Sequence, residues 1–526
     1  MRRLAVVSVT ALVLAACLPG AVAPVPAESD VATTTSPPPT ADPPDPPPPV
    51  CRRGPVTGTG VELLRFGDPV RRSLAVSARM FSCADRVVIV PADDYAAMTA
   101  AAPIAVDMQA PLLLTRPGAG RLVAAEAARL GATEVVTVGD PAPLPSGLPA
   151  EAMRLRPGGV ADTLARLAGL DGAVPHELAA ALAARPPTGG PVLVAPVTDP
   201  AGALPAAVAA AVTGGRLLLA DPSDVWGDTT FGMSLRAARP DQVVLVGLFD
   251  GDVLRQVETV LTSEPLPGGG WRLLPGRRLV ALYGNPLTPN LGVLGEQGPE
   301  ESIERLRPLV EAYGVDGVPT VPAFDIIATV ADARPGADGD YSAETPIEVL
   351  EPWVDAARQA GVYVILDLQP GRTDFLTQAR RYEELLRQPH VGLALDPEWR
   401  LRPDQVHLRQ IGSVDAAEVN EVAGWLAELV RRERLPQKLL LIHQFKPSMI
   451  TNRERIVTPP ELAVVIQMDG QGPLATKYSS YRVITGNRPH PRWWWGWKNF
   501  YDEDSPVATP EQVLGLEPVP VFVSFQ

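Results

Sequence analysis

Acidic and polar side chains follow a series of apolar runs in the second half of this 526-residue chain. The residues that close these runs are Tyr283, Asp325, Asp367, Asp396, His443 and Asp469. Continuous apolar runs are typical of strands that are buried on both faces of a parallel sheet. Active sites of (β/α) barrels lie where the strands end. Carboxylates at four of these ends therefore predict a site at the mouth of a barrel.

The chemistry that fits such a mouth is glycoside hydrolysis, which needs two carboxyl groups facing each other across a sugar bond. Asp367, Asp396 and Glu398 follow adjacent strands and are the predicted catalytic residues. One carboxyl group must stay protonated, and apolar surroundings or a neighbouring carboxylate achieve this by raising its pKa. We expect Asp396 or Glu398 to be the acid and Asp367 to be its partner.

Further residues near the same strand ends are predicted to contact the substrate. Trp399 could stack on the C–H face of a sugar. The run Trp493–Trp497 could do the same, with Trp493, Trp495 and Trp497 on one side of a strand, or could pack between barrel and helices. Arg372 and Lys477 could clamp anionic groups or be surface charges. The predicted substrate-binding residues are Asp325, Arg372, Trp399, His443, Gln444, Asp469, Tyr501 and Asp502.

Two alternatives remain for the mouth. A metal-dependent hydrolase or deacetylase would draw on Asp367, His443 and Asp469. Zinc catalysis usually uses more nitrogen ligands than the lone histidine at this mouth, so the sequence identifies no metal ligand and no cofactor. The other alternative is a non-catalytic glycan-binding or scaffold protein, and the sequence leaves open whether the barrel is an enzyme.

The elements that must position these residues form a (β/α)8 TIM-type barrel over residues 271–526, a usual size for this fold. The predicted strands are Leu279–Tyr283, Thr320–Asp325, Val362–Asp367, Gly392–Asp396, Lys438–His443, Leu462–Gln467, Arg492–Phe500 and Val519–Phe525. The predicted helices are Ser302–Tyr313, Pro346–Gln359, Asp374–Gln388, Asp415–Glu433 and Pro510–Leu514.

A repeat precedes the barrel and predicts two small Rossmann-like, three-layer α/β modules, over residues 52–150 and 151–270. In each module three apolar strands alternate with helices, of which Tyr95–Val106 and Ala201–Val212 are rich in alanine. The strands are Val87–Val90, Pro111–Thr115 and Glu134–Gly139, then Val192–Ala195, Arg216–Ala220 and Gln242–Gly247. Neither first βα turn has a glycine-rich phosphate loop, which argues against nucleotide binding.

The first module resembles the type-2 cell-wall-binding repeat family of Gram-positive surface proteins, and the second does so loosely. The matching residues are Arg65–Asp68, Ala75–Ser77, Phe81, Ala84–Asp85, Val87–Val90, Asp94–Tyr95, Ala100–Ala105, Ala110–Thr115 and Val135–Gly139. The resemblance implies non-covalent binding to anionic wall polymers, usually through three tandem repeats. This chain has two units, and Ala97–Thr99 replaces the Asp-Ala-Leu of the family.

The second half resembles a family of exported actinobacterial barrel domains. The shared patterns are Leu366–Arg372, Gly392–Trp399, His443–Phe445 and Phe500–Asp504. This resemblance implies the barrel fold and export but no particular reaction. Likeness to glycoside hydrolases rests on the analogy of fold.

The N-terminus predicts export to the cell envelope. Arg2 and Arg3 precede an apolar stretch within residues 1–23, as in a signal peptide. Leu14–Cys17 resembles a bacterial lipobox, so we expect cleavage before Cys17 and lipidation of that residue. Ordinary cleavage after Ala23 is the alternative. Residues 24–51 are rich in proline and predict an extended tether.

The cysteines and the charge fit an exported protein. Cys51 and Cys83 would both lie outside the membrane, where disulfides persist, and are predicted to pair with each other; two buried free thiols are the alternative. The net charge of −14 counts against a nucleic-acid partner, which would need a basic face. We expect a membrane lipid anchor, a location facing the cell wall, and a wall polysaccharide or anionic wall polymer as partner.

Overall fold

The computed structural model describes residues 60–139, 150–153, 190–199 and 202–526. The predicted signal peptide, the lipidated Cys17, the tether and Cys51 lie outside these residues, so those four predictions stay predictions. All the described residues belong to one structural unit. None of the helices in these ranges is long and apolar enough to cross a membrane.

The first half of the described chain alternates strands and helices. Its strands are β1 (Gly60–Leu64), β2 (Arg86–Pro91), β3 (Leu112–Thr115), β4 (Glu134–Val138), β5 (Ala150–Met153), β6 (Val192–Pro196), β7 (Arg216–Ala220) and β8 (Gln242–Val246). Its helices are α1 (Pro69–Met80), α2 (Tyr95–Asp107), α3 (Gly120–Leu130), α4 (Leu204–Val212), α5 (Thr229–Ala238) and α6 (Val253–Thr262).

These strands form two parallel sheets, with orders β3-β2-β4-β5 and β1-β8-β6-β7. The predicted strands of both modules are present. The alanine-rich helices α2 and α4 pack against each other, and their alanines join the core that both modules share. Strand β1 was not predicted. It belongs to the range of the first module but pairs with β8 of the second, from Gly60↔Gln242 to Leu64↔Val246.

The second half is a closed eight-stranded parallel barrel, as predicted. The strand order is β9-β11-β13-β14-β16-β18-β19-β20, and β20 pairs again with β9. The strands of this half are β9 (Arg278–Asn285), β10 (Thr288–Gly292), β11 (Thr320–Ala331), β12 (Ser342–Glu344), β13 (Tyr363–Leu368), β14 (Val391–Leu395), β15 (Val414–Asp415), β16 (Lys438–His443), β17 (Ile450–Thr451), β18 (Leu462–Met468), β19 (Trp494–Asn499) and β20 (Phe522–Phe525). Strands β10 and β12 extend the sheet antiparallel to β9 and β11.

Helices cover the outside of the barrel. They are α7 (Pro299–Tyr313), α8 (Ile347–Ala360), α9 (Phe375–Arg381), α10 (Glu383–Leu386), α11 (Ala416–Arg432), α12 (Leu474–Thr485) and α13 (Pro510–Leu514). The helix predicted over 374–388 is divided at Tyr382. Helix α12 was not predicted, because the face that it buries includes Lys477 beside Tyr481 and Ile484 and so lacks a clear apolar stripe.

The tryptophans in and directly before β19 are packing residues. Trp493, Trp495 and Trp497 do lie on one side, as alternation predicts, but all three are buried in the layer between strands and helices. Trp494 instead packs against the core inside the barrel. The alternative of a sugar-binding platform is therefore wrong for the three buried rings, because a ligand could not reach them.

The second module packs against the end of the barrel where the strands begin. Glu258 of α6 pairs at 3.0 Å with Arg434, shortly before β16. Arg255 of α6 pairs at 3.0 Å with the buried Glu461, just before β18. The apolar core of this module is continuous with that of the barrel. The carboxyl ends of the barrel strands are thus at the opposite end.

Candidate active site

A cavity of about 560 Å³ lies at the carboxyl ends of the barrel strands. Carboxyl groups, one lysine, one tyrosine and several aromatic rings line it. Its residues include Tyr283, Gln369, Asp396, Glu398, Trp399, Phe445, Asp469, Lys498, Phe500 and Glu503. Acidic and aromatic side chains around one cavity are the composition that a sugar-binding cleft needs, because carboxylates accept hydroxyl hydrogens and rings pack on C–H faces.

Asp396 and Glu398 are held by a tight turn after β14. The turn Pro397–Trp399 is a single 3-10 turn, and the Glu398 N–H donates to Asp396 Oδ1 at 3.4 Å. The Glu398 carbonyl accepts a 2.7 Å hydrogen bond from the Gly412 N–H. A Cβ atom at Gly412 would lie 2.5 Å from that carbonyl oxygen, so glycine permits the close approach that fixes the turn.

Both carboxyl groups of this turn favour the protonated state. Burial raises the pKa of Glu398 to about 7, and the nearby Asp469 adds to the shift. Burial, with Glu398 beside it, raises the pKa of Asp396 well above its ordinary value. Two such groups on one turn take up protons as a pair. The turn therefore offers a carboxylic acid to the cavity near neutral pH.

Three ionisable side chains lie fully buried below the cavity: Asp325, Asp367 and His443. His443 Nε2 lies 3.6 Å from Asp367 Oδ1, and His443 Nδ1 lies 3.2 Å from Asp469 Oδ2. Neither carboxylate oxygen of Asp325 has a hydrogen-bond partner in the described residues. Burial raises the pKa of Asp325 to about 7. Asp325 and Asp367 thus form the floor and not the wall of the site.

Tyr283 and Lys498 complete the wall. The Tyr283 hydroxyl donates a 2.9 Å hydrogen bond to Asp367 Oδ2. Burial and the neighbouring Asp367 raise the pKa of Tyr283 well above its ordinary value, so the phenol remains a neutral donor. Lys498 Nζ lies 3.3 Å from the centroid of the Tyr283 ring, a cation–π contact. Within the described ranges no carboxylate lies at ion-pair distance from Lys498.

Four predicted substrate-binding residues lie away from the cavity wall. Arg372 donates to the Gln405 carbonyl at 2.9 and 3.1 Å and stacks on Tyr341. Gln444 is buried and accepts a 2.6 Å hydrogen bond from Arg453. Tyr501 stacks on Phe525, and Asp502 is exposed. Trp399 and Asp469 do line the cavity, whereas Asp325 and His443 lie below it.

Sequence reasoning missed Tyr283, Lys498, Gln369, Phe445 and Glu503 as wall residues. Gln369, Phe445 and Glu503 stand inside motifs already singled out, one to three residues from predicted site residues. Tyr283 closes an apolar run like those of the carboxylates. Lys498 gives no such signal, because it lies inside the tryptophan-rich strand.

Lys477 is not a surface charge. Its side chain is 1% exposed and donates to the Asp504 carboxylate and, at 2.7 Å, to the Lys498 carbonyl. Asp504 also accepts from the N–H groups of Gly472 and Phe500. This buried pair joins α12 to the loop after β19, and so holds that side of the cavity.

The floor does not fit a metal site. Each ring nitrogen of His443 faces a different carboxylate, so one ion could not contact Asp367, His443 and Asp469 together. Within the described residues the donor atoms that converge to within 4.8 Å are instead those of Asp338, Asp340 and Glu344, outside the cavity. The geometry thus disfavours the metal-dependent alternative for these three residues.

The similarities of this chain to known proteins are weak. No protein-family model matches the chain, and no curated protein matches it. Among solved structures, Cwp6 from Clostridium difficile matches with a TM-score of 0.32 and 13% identity over 53% of this chain and 64% of that one. Cwp8 from the same organism matches with a TM-score of 0.17 and 12% identity over 71% and 52%.

A third solved structure is that of the radical S-adenosylmethionine methyltransferase TsrM from Kitasatospora setae. It matches with a TM-score of 0.17 and 11% identity over 70% of this chain and 69% of that one. This chain spans less than two thirds of the length of Cwp6 and Cwp8. Similarity at these scores supports no argument about function.

Proposed function

We propose that this chain is an exported, lipid-anchored protein of the cell envelope whose barrel hydrolyses a surface glycan. The observation that carries the proposal is the convergence of Asp396, Glu398 and Asp469 on one cavity at the carboxyl ends of the barrel strands. Paired carboxyl groups across a cleft are the machinery that most glycoside hydrolases use.

Glu398 is the proposed general acid. A pKa of about 7 leaves a large protonated fraction at neutral pH, and proton transfer is most effective when the pKa of the acid is close to the working pH. Asp396 supports this role, since two carboxyl groups on one short turn share protons.

Asp469 is the proposed second carboxylate, acting as nucleophile or general base. It follows β18, whereas Glu398 follows β14, and β16 lies between these strands. Both side chains line the cavity. Asp367, the partner expected from sequence, is fully buried and acts here as a positioning residue, because it cannot contact a bound sugar.

The envelope location rests on the N-terminal sequence. A signal peptide, the lipobox before Cys17 and the tether of residues 24–51 support a membrane-anchored protein that faces the wall. The resemblance of the first module to wall-binding repeats supports attachment to an anionic wall polymer. Because the second module packs against the opposite end of the barrel, such attachment would leave the cavity open to substrate.

The deciding experiment incubates the purified protein with peptidoglycan, arabinogalactan and teichoic polymers and measures new reducing ends. Glu398→Gln and Asp469→Asn should each lower kcat by roughly 10²- to 10⁴-fold while glycan binding persists, since each removes one acid–base group. Asp355→Asn, an exposed change on α8, is the matched control and should leave the rate unchanged.

Two outcomes would end the proposal. Release that persists in both variants would exclude these residues as the catalytic pair. Binding without release from any polymer would instead favour a glycan-binding protein. For location, Cys17→Ser should release the protein from the membrane fraction; unchanged detergent partitioning and mature mass would disprove lipidation.

A further inference from the structure

A chain of contacts crosses the floor of the cavity from one wall to the other. The Tyr283 hydroxyl donates to Asp367 Oδ2 at 2.9 Å, and Asp367 Oδ1 lies 3.6 Å from His443 Nε2. On the far side of the ring, His443 Nδ1 lies 3.2 Å from Asp469 Oδ2. Tyr283 and Asp469 both line the cavity. His443 therefore lies between the carboxyl groups of Asp367 and Asp469, at ion-pair distance from each.

We propose that His443 is a permanent imidazolium cation that lies between Asp367 and Asp469, and that this cation holds the Asp469 side chain in position at the cavity. In this role His443 is a positioning residue, since it is fully buried and does not touch substrate. The catalytic part of the inference rests on the proposed function of Asp469, whereas the charge state of the ring does not.

A carboxyl group on each side of the ring favours the charged form of His443. A neutral imidazole has one N–H donor and one lone pair, whereas both nitrogens of the imidazolium are donors. With a carboxylate oxygen near each nitrogen, the neutral ring would turn its lone pair toward one of them. Only the cation attracts both carboxylates at once.

The surroundings favour the same state. The titratable groups that interact with His443 from neighbouring elements are Tyr283 on β9, Asp325 on β11, Asp367 on β13, Asp396 and Glu398 after β14, and Asp469 after β18. Burial acts to lower the pKa of His443, but Asp367, Asp469 and Asp396 outweigh it and raise the pKa to about 10. Lys498, the other cation here, sits on the Tyr283 ring.

His390 provides an internal contrast. It is also buried, and one ring nitrogen lies 3.0 Å from the Val354 carbonyl. Within the described residues no carboxylate pairs with it, and burial lowers its pKa to about 4. One barrel thus holds two buried histidines of opposite charge state.

The test is nitrogen NMR of the full protein labelled at its five histidines, from pH 5.5 to 9. The His443 ring should show two protonated nitrogens throughout, whereas His390 should stay neutral. His443→Gln and His390→Gln assign the signals. If His443→Gln does not fold, single substitutions of the other four histidines assign His443 by elimination. A neutral His443 at pH 7 would overturn the proposal.

The second experiment measures kcat and KM on any polymer that the parent protein hydrolyses. In folded His443→Gln, Asp469 is no longer held in position, so kcat should fall by roughly 10²-fold, the cost that a displacement of about 1 Å can have. KM should change little, and His390→Gln should leave both constants unchanged. An unchanged kcat would exclude the positioning role. If no polymer is hydrolysed, the proposed function is wrong. The charge state of the His443 ring is then still tested by NMR.

Discussion

The hydroxyl of Tyr283 donates a 2.9 Å hydrogen bond to Asp367 Oδ2, and both side chains are buried. Tyr283 lines the cavity and Asp367 does not. From the sequence, Asp367 was predicted to contact substrate. In the structure its carboxylate instead lies below the cavity and accepts a hydrogen bond from the wall residue Tyr283. Ionisable side chains therefore form the floor of the cavity, and Tyr283 joins the wall to them.

Tyr283→Phe should lower the free energy of unfolding by roughly 1.5–3 kcal/mol, because a hydrogen bond to a carboxylate is lost where water cannot replace it. Urea denaturation at pH 7 measures the change. Tyr478→Phe is the control: its ring packs on Trp497, and its hydroxyl has no hydrogen-bond partner among the described residues. That change should stay within about 0.5 kcal/mol. Equal losses would contradict the role of the Tyr283–Asp367 bond.

Lys477→Met should destabilise the fold by roughly 3–5 kcal/mol, because it leaves the Asp504 carboxylate buried without its cation. Adding Asp504→Asn should recover part of the loss, since no unpaired charge then remains. Arg307→Met, which removes an exposed pair with Glu304, should have little effect. Thermal and urea unfolding measure all four proteins. A double variant no more stable than Lys477→Met would disprove the charge argument.

Asp325 should make stability depend on pH. Its pKa rises from 3.8 to about 7 on folding, chiefly through burial, so the folded protein binds more protons than the unfolded chain between these values. The contribution of Asp325 to stability is therefore present below about pH 4 and is lost as pH rises through 7. Asp325→Asn should reduce the fall in unfolding free energy between pH 5 and 8.

The control for this pH series is Asp374→Asn at the start of α9. Asp374 accepts from the Thr377 N–H at 2.8 Å, and its pKa is lowered: burial opposes the shift, but hydrogen bonds from Thr377 outweigh it. Asn also caps helices, and this group titrates below the tested range. The slope between pH 5 and 8 should match that of the parent. The same slope in Asp325→Asn would contradict the prediction.

Cys83 is disulfide-bonded, and its partner lies outside the described residues. We predict Cys51, which would join the predicted tether to the first module. Alkylation without reducing agent should leave both thiols unlabelled, and peptide mapping should recover one linked pair. Quantitative labelling of Cys51 in the native protein would rule the pairing out. Cys17→Ser should not change the result.

The barrel was predictable because each strand that is buried on both faces appears in the sequence as a continuous apolar run. Each of the eight predicted strands is present, and Lys438–His443 has the predicted ends. Helix α12 was not predictable, because a buried ion pair replaces part of its apolar face. The pairing of β1 with β8 was not predictable either, since nothing in Gly60–Leu64 indicates which sheet edge it joins.

The sequence by itself determined which carboxylates stand near the strand ends; only the tertiary structure decided their depth. Asp325 and Asp367 lie within β11 and β13, whereas Asp396 and Asp469 directly follow β14 and β18. Strands of a barrel are staggered against one another. Residues that each close an apolar run can therefore lie at different depths along the barrel axis. One or two residues along a strand therefore separate a buried charge from a side chain that can meet a substrate.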